Sequence, residues 1–408
     1  MQSLLELYKI GHGPSSSHTM GPSKLAKIFK DKYPKADEIK VILYGSLALT
    51  GKGHFTDKAI SDVLNPVKHQ IIFDVKTKVD HPNTVDFIAY KNNTEIGKFT
   101  GISIGGGSVV IKGQKIKQVK ECYKFNYFVP TWEYCKKNKI DLYQYVMKCE
   151  GKGFEKYLKE IWNAMQASVK EGLSQKGVLP GVFQIERRAN KMYHNNDKKA
   201  KRMFNGNDAL KHLYAYAFAA NETNASGGVV VTAPTCGACG VIPAVFSYAK
   251  HDLGYKDSEI LKAIAVAGLI GNFFKRNASV AGAEGGCQAE VGTACAMAAA
   301  GFAYLSGYGI DVIQHAAKIG IAHFLGLTCD PVLGFVKIPC IERNAVAANR
   351  AIEAAQIAAL NQDEADVFTL DDVIETANRT GKDLLPEYRE TSIGGLAGIW
   401  SQKQKNKK

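Results

Sequence analysis

The chain has 408 residues, 46% of them hydrophobic and 22% charged, an ordinary balance for a globular enzyme of two or three domains with a large buried core. The formal net charge of +13 raises a nucleic-acid footprint, but the lysines are scattered and no RNA- or DNA-binding motif accompanies them, so no nucleic-acid partner is expected. The opening Met1-Gln-Ser-Leu-Leu-Glu is short and runs at once into Gly11-His-Gly-Pro14, so it reads as no secretory signal. In chain order, strand patterns fall at 38–49, 69–75, 84–91 and 95–104, rich in Ile, Val, Phe and Thr and bounded by Pro, Asn and Gly. Helical patterns at 22–33 and 55–64 lie among them, which predicts a small α/β domain over residues 1–128.

From Thr131 the pattern turns helical, with Thr131 and Glu133 reading as a capped helix start. Helices are predicted at 153–172, 206–221, 241–252, 257–274, 288–305, 309–325, 341–361 and 370–379, and Gly227–Thr232 is the main strand signal. The expected fold class is therefore α+β: the small N-terminal α/β domain, then a larger all-helical domain over 129–400. Residues 401–408, a lysine-rich run, are expected to be a basic disordered tail. Val291 to Ile310 carries no charge and is long enough to raise a membrane span. Its Ala- and Gly-rich make-up, close behind Glu284 and Glu290, reads instead as a packed core helix and a turn, so no membrane partner is expected. Nine cysteines without a secretory signal predict a reducing compartment, the cytoplasm, where disulfides are rare.

Several segments carry chemistry. Gly11 to Pro22 places Ser15, Ser16, Ser17, His18 and Thr19 between glycines just before a helix, where hydroxyls and free backbone N–H groups suit a carboxylate or phosphate. The same stretch also reads as a plain Ser-rich turn, and it lacks the Gly-Lys-Ser/Thr ending of a P-loop. Gly45 to Asp57 sets His54 between a glycine and a predicted helix, where it can serve as a general base near neutral pH or merely cap the helix.

Cys287, Cys329 and Cys340 sit in Ala-Glu-Gly-Gly-Cys-Gln, Gly-Leu-Thr-Cys-Asp-Pro and Ile-Pro-Cys-Ile-Glu-Arg-Asn. Three thiolates can hold a cubane iron–sulfur cluster by three corners and leave one iron open as a Lewis acid. Zinc, which wants a fourth protein ligand, and plain burial are the alternatives. Cys236-Gly-Ala-Cys239 has zinc or redox spacing, whereas Cys122, Cys135, Cys149 and Cys295 read as core residues. Glu342, Arg343 and Asn344 open the helix after Cys340. Tyr388 to Gly395 reads equally as a terminal segment folded back onto the body or as a frayed end.

Taken together, these motifs resemble the iron–sulfur-dependent bacterial L-serine dehydratases, or L-serine ammonia-lyases, in their single-chain form. The matching stretches run almost end to end: Gly13 to Thr19, Tyr44 to His54, Ser103 to Gly107, Gly177 to Gly181, Val231 to Thr235, Gly282 to Gln288, Gly326 to Pro331, Pro339 to Asn344 and Tyr388 to Ser392. The resemblance implies conversion of L-serine to pyruvate and ammonia, a 4Fe–4S cluster on Cys287, Cys329 and Cys340, and no pyridoxal phosphate. It implies His54 as the base that takes the α-proton, with His18 second. Ser15, Ser16, Ser17, Thr19 and Asn344 become expected substrate-binding residues. A homodimer, a gluconeogenic and amino-acid-catabolic setting, and a cytoplasmic location complete the expectation. Some members end in a cysteine that reaches the open iron. This sequence ends in Lys408, so water, substrate or another residue is expected there. Cys236 also departs from the family pattern, as an extra thiol or a bystander.

Overall fold

A computed structural model describes residues 1–114, 121–204, 208–361 and 367–406. The elements run β1 (Ile10–His12), α1 (Gly21–Lys32), β2 (Glu38–Tyr44), α2 (Gly45–Thr50), α3 (Thr56–Leu64), β3 (Lys68–Asp74), β4 (Thr84–Lys91), β5 (Thr94–Ser103) and β6 (Val109–Ile111). Then come α4 (Phe128–Asn138), α5 (Leu142–Glu150), α6 (Phe154–Ser174), α7 (Ala189–Tyr193), α8 (Lys198–Met203), α9 (Asp208–Ala225), β7 (Val229–Val231), α10 (Val241–His251) and α11 (Asp257–Asn277). The chain continues through α12 (Gly282–Cys287), α13 (Thr293–Leu305), α14 (Ile310–Ala322), α15 (Cys340–Leu360), α16 (Leu370–Asp383) and α17 (Gly395–Lys405). Wide π-type turns at Ser16–Met20 and Gln288–Gly292 lead into α1 and α13.

The N-terminal sheet has the order β3-β2-β4-β5-β6. β2 and β3 are parallel and the other pairs antiparallel, with Val41 opposite both Ile71 and Phe87. Alternation sets the inner face. Ile39, Val41 and Leu43 of β2 and Val85, Phe87 and Ala89 of β4 are fully buried, and Leu25 and Phe29 of α1 and Ile60 and Leu64 of α3 close over them. Each of these side chains larger than alanine contributes roughly 1.5–3 kcal/mol by leaving water. This α/β unit ahead of a larger helical body is the expected α+β arrangement.

The second core gathers α4 to α6, α9 to α11 and α13 to α16. Its helices approach closely because small residues line them. A Cβ on Gly172 of α6 would lie 2.0 Å from the Ala219 carbonyl oxygen of α9, so only glycine fits that crossing. The uncharged run beginning at Val291 is buried here as α13, and among the described residues no helix is long and apolar enough to cross a membrane.

Four local expectations change. Residues 1–12 do not belong to the α/β unit: Met1, Leu4, Leu7 and Tyr8 are buried in the helical core, and β1 pairs antiparallel with β7, Ile10 facing Val231. The strand signal at 38–49 ends at Tyr44, and Gly45 to Thr50 turn into α2. Thr131 is not a cap. Its hydroxyl donates to the Tyr127 carbonyl inside α4, while the distant Asp371 carboxylate accepts from the Phe128 and Val129 N–H groups at 2.7 and 2.9 Å. Ser401 to Lys405 continue α17 instead of forming a disordered tail; Lys407 and Lys408 lie outside the described residues.

Candidate active site

The Ser-rich loop folds as a hydrogen-bonded turn. Ser15 is extended and its Oγ accepts from the His18 N–H at 3.1 Å, while Thr19 Oγ1 accepts from the Ser15 N–H and donates to the His54 carbonyl at 2.8 Å. Thr56 Oγ1 donates in turn to the His18 carbonyl at 2.7 Å. The two loops are thereby cross-tied, and the His18 and His54 rings lie 4.5 Å apart.

Hydrogen bonding fixes the tautomer of each ring. Ser46 Oγ donates to the Glu390 carbonyl at 2.6 Å, so it must accept at its 2.9 Å contact with His18 Nε2, which therefore carries the proton. His18 Nδ1 then accepts from Ser17 Oγ at 2.8 Å, and Ser17 in turn accepts from Ser15 Oγ. Both nitrogens of His18 are spent on this chain. His54 differs: Nδ1 faces the Thr50 carbonyl at 3.1 Å and must donate, leaving a lone pair on Nε2 with no partner. Burial keeps both imidazoles neutral, pushing His54 down to about 4.

Glu390 arrives from the far end of the chain. The Cys329 N–H donates to the Tyr388 carbonyl and the Glu390 N–H to the Cys329 carbonyl, both at 2.8 Å, so this two-residue bridge turns Glu390 inward. Its backbone is left-handed, with φ of 57°, a strained state for a non-glycine residue. Glu390 Oε1 stands 3.6 Å from both His18 Nδ1 and His54 Nε2, and Oε2 has no partner. Burial first, and then Glu290 and Cys287, raise its carboxyl well above the usual range.

The three cysteines converge on the same place from α12, the loop before Pro331 and the first turn of α15. Gly286, with φ of 72°, makes the turn that aims Cys287, and a Cβ there would lie 2.6 Å from the Leu327 carbonyl. Arg343 Nη1 donates to Cys287 Sγ at 3.3 Å and to the Thr328 carbonyl at 2.6 Å, and Nη2 pairs with Asp330 at 3.0 Å. The neighbouring Cys329 thiol and Arg343 hold the Cys287 thiol below its ordinary range, whereas burial pushes Cys340 up. The sulfurs of Cys287 and Cys329 and a carboxylate oxygen of Glu290 lie within 4.8 Å of one another. Burial pushes Glu290 up to about 7.

One cavity joins these groups. Cys287, Cys329, Cys340, Ser15, His54, Glu290 and Glu390 line it, with Pro14, Gly237, Val291, Pro331 and Val336. Of the residues singled out by sequence, the structure brings together the three cysteines, His54 and Ser15. His18, Ser17 and Thr19 stand one layer back and orient the loop. Ser16 is buried without lining the cavity, its carbonyl accepting from the Gly21 N–H. Asn344 is also absent from the lining: its amide is consumed by the Gly240 N–H and the Gly237 and Cys340 carbonyls, so it braces α15 against the Cys236–Cys239 turn. Cys236 and Cys239 are buried beside this turn, Cys236 Sγ 3.4 Å from Met20 Sδ, and neither lines the cavity.

Sequence reasoning missed Glu390 and Glu290. The fold-back of Tyr388 to Ser392 was legible, but not which side chain turned inward. Glu290, one acid at the edge of a long apolar run, was a signal that could have found it.

The donor set suits a thiolate-held metal group: three buried free thiols, an arginine on one of them, and an imidazole and a carboxyl each with an orphaned atom. Residues 99–397 match the family described as the serine dehydratase alpha chain, and residues 3–65 the serine dehydratase beta chain. The chain is 40% identical to L-serine dehydratase 1 of Escherichia coli (strain K12), over 97% of this chain and 99% of that protein. It is 38% identical to L-serine dehydratase of Haemophilus influenzae, over 97% and 99%, and 35% identical to that of Helicobacter pylori (strain J99), over 97% and 98%. With both family segments present in order on one polypeptide, the chain belongs to the serine dehydratase family.

Proposed function

We propose that this protein is an L-serine dehydratase that eliminates water from L-serine and releases pyruvate and ammonia. The observation that carries the reading is the unpartnered Nε2 lone pair of His54 in the cavity that also holds Cys287, Cys329 and Cys340. Those cysteines would hold a 4Fe–4S cluster, which when bound supplies a Lewis acid that makes hydroxide a better leaving group.

The chain's own residues supply the proton transfer. His54 Nε2 takes the α-proton of serine, the electron pair left on Cα forms the double bond to Cβ, and the C–O bond breaks. Thr50 holds the tautomer that makes Nε2 the acceptor. Glu390 Oε1, 3.6 Å from that nitrogen, is the nearest oxygen that can accept from the N–H the ring then carries. Ser15 lines the cavity, and its hydroxyl, turned from Ser17 Oγ, would donate to the substrate carboxylate, while Ser17, His18 and Thr19 keep Ser15 and His54 in register. The enamine product tautomerises to an imine, and water hydrolyses it to pyruvate and ammonia. The reaction so written calls for no pyridoxal Schiff base.

Nine free cysteines accord with a reducing cytoplasmic setting, and a homodimer is the proposed assembly. Anaerobic reconstitution with iron and sulfide, followed by an assay of pyruvate from L-serine, tests the function. Pyruvate release is expected. A brown, iron-loaded protein inert towards L-serine, or active only on a hydroxy acid without an amino group, would refute it.

A further inference from the structure

Behind the helix that carries Cys287 lies a second cavity, about 670 Å³, bounded by the ends of α11, α12 and α16 and the segment 386–391. It is a separate space from the catalytic cavity, and the chain alternates between them. Ala283, Gly285 and Ala289 face the second cavity while Cys287, Glu290 and Val291 face the first. Arg389 and Thr391 face the second while Glu390 faces the first.

The polar groups of this cavity are mismatched. Arg389 and Lys382 line it, and among the described residues neither has a carboxylate at ion-pairing distance; Arg389 Nε is buried with no hydrogen-bond partner. Thr293 is fully buried in the wall, and its hydroxyl has no hydrogen-bond partner. Arg276 adds a third cation, whose one ion pair among the described residues is a 3.5 Å contact to Glu121. The acids on the wall do not answer these cations. Asp80 pairs with Lys112 at 3.3 Å, and Glu284 is taken by His81 at 3.2 Å and by the Ser279 hydroxyl at 2.5 Å. The remaining wall mixes Phe274, prolines and several alanines with the side chains of Asn277, Gln288 and Asn378. Cations without a carboxylate partner beside a wall of short aliphatic and amide groups describe a receptor for a small carboxylate.

We infer that this cavity is a second ligand site, distinct from the catalytic one, that binds a small aliphatic monocarboxylate through Arg389, Lys382 and Thr293. The site goes beyond the proposed reaction and stands without it. Its occupant would press on the opposite sides of the two segments that position Cys287 and Glu390.

Calorimetric titration of the reconstituted full-length chain with propionate, and with propionamide as its neutral isostere, tests the inference. Saturable binding of propionate and none of propionamide is expected. Lys382→Met, at the exposed end of α16, should weaken propionate about tenfold, as expected for loss of one charged contact. Thr293→Val should weaken it less, and His54→Asn should leave it unchanged. Absence of saturable propionate binding, equal binding of propionamide, or binding indifferent to both Lys382→Met and Thr293→Val would each overturn the site. Binding lost in His54→Asn but kept in Lys382→Met would overturn it too, by moving the anion into the catalytic cavity. Because the readout is binding, a chain inert towards L-serine that still takes propionate refutes the proposed reaction and leaves this site standing.

Discussion

Replacing His54 by asparagine separates its two nitrogens. The asparagine amide can still donate to the Thr50 carbonyl, now met by Nδ1 at 3.1 Å, so the loop keeps its internal bond and only the Nε2 acceptor is deleted. Loss of a positioned general base costs about 10²- to 10⁴-fold in rate, or roughly 3–5 kcal/mol of barrier. Few groups can deputise. Glu390 is the nearest, 3.6 Å from Nε2, and burial drives its carboxyl towards the neutral, non-basic form. His18 has both nitrogens committed to hydroxyls. The rate loss should therefore fall in the upper part of that range, with KM changed little. The assay is anaerobic pyruvate formation beside washout of deuterium from α-deuterated L-serine, with iron content and visible absorption as controls for the cluster. A variant with kcat within about fivefold of the parent, or one that keeps α-exchange, would show that another group takes the proton.

Three further outcomes follow from the geometry. Cys329→Ser should lose the visible absorption and iron of the reconstituted protein together; unchanged iron content would remove Cys329 from the ligand set. Ser46→Ala strips the acceptor from the buried His18 Nε2–H and should cost about 1–3 kcal/mol in denaturant unfolding, so an unchanged midpoint would contradict the tautomer assigned to His18. Burial, then Lys9, pushes Lys275 down to about 8 from an ordinary 10.5 while its ammonium donates to the Glu6 carbonyl. Between those values the unfolded chain holds a proton that the folded one has released. Stability should therefore rise by about 3 kcal/mol at most as pH climbs from 8 to 10.5, and Lys275→Met should flatten that rise; identical slopes in the two proteins would disprove it.

Much of this architecture was legible in the residues because most of its signals are local. The strand at 84–91 carries a period-two pattern between turn residues, and its bounds coincide with β4. The helices at 241–252 and 257–274 are marked by their own periodicity and differ from α10 and α11 by at most three residues at an end. What was not legible depends on partners distant in sequence. Ile10-Gly-His12 is too short to read as a strand and becomes one because Val229–Val231 lies beside it. α4 takes its cap from Asp371, so the nearby Thr131 misled. At the site, the cysteine flanks were specific enough to mark all three thiols. Asn344 looked like a substrate ligand only because its motif did; three backbone partners occupy it. Glu390 escaped because an inward side chain at that position depends on one bridge to Cys329.

That bridge has a consequence for biosynthesis. The histidine pair is made well before Glu390, so the candidate pocket cannot close until residue 390 has been added. The first strand, too, must wait for residues 229–231 before it has anything to pair with. Contacts so remote in sequence are slow to close. A ribosome stalled before residue 386 would carry all three cysteines but neither the wall supplied by Glu390 nor the segment that bonds to Cys329. Any metal that met the cysteines before residue 390 had been added would find an open, solvent-washed basin.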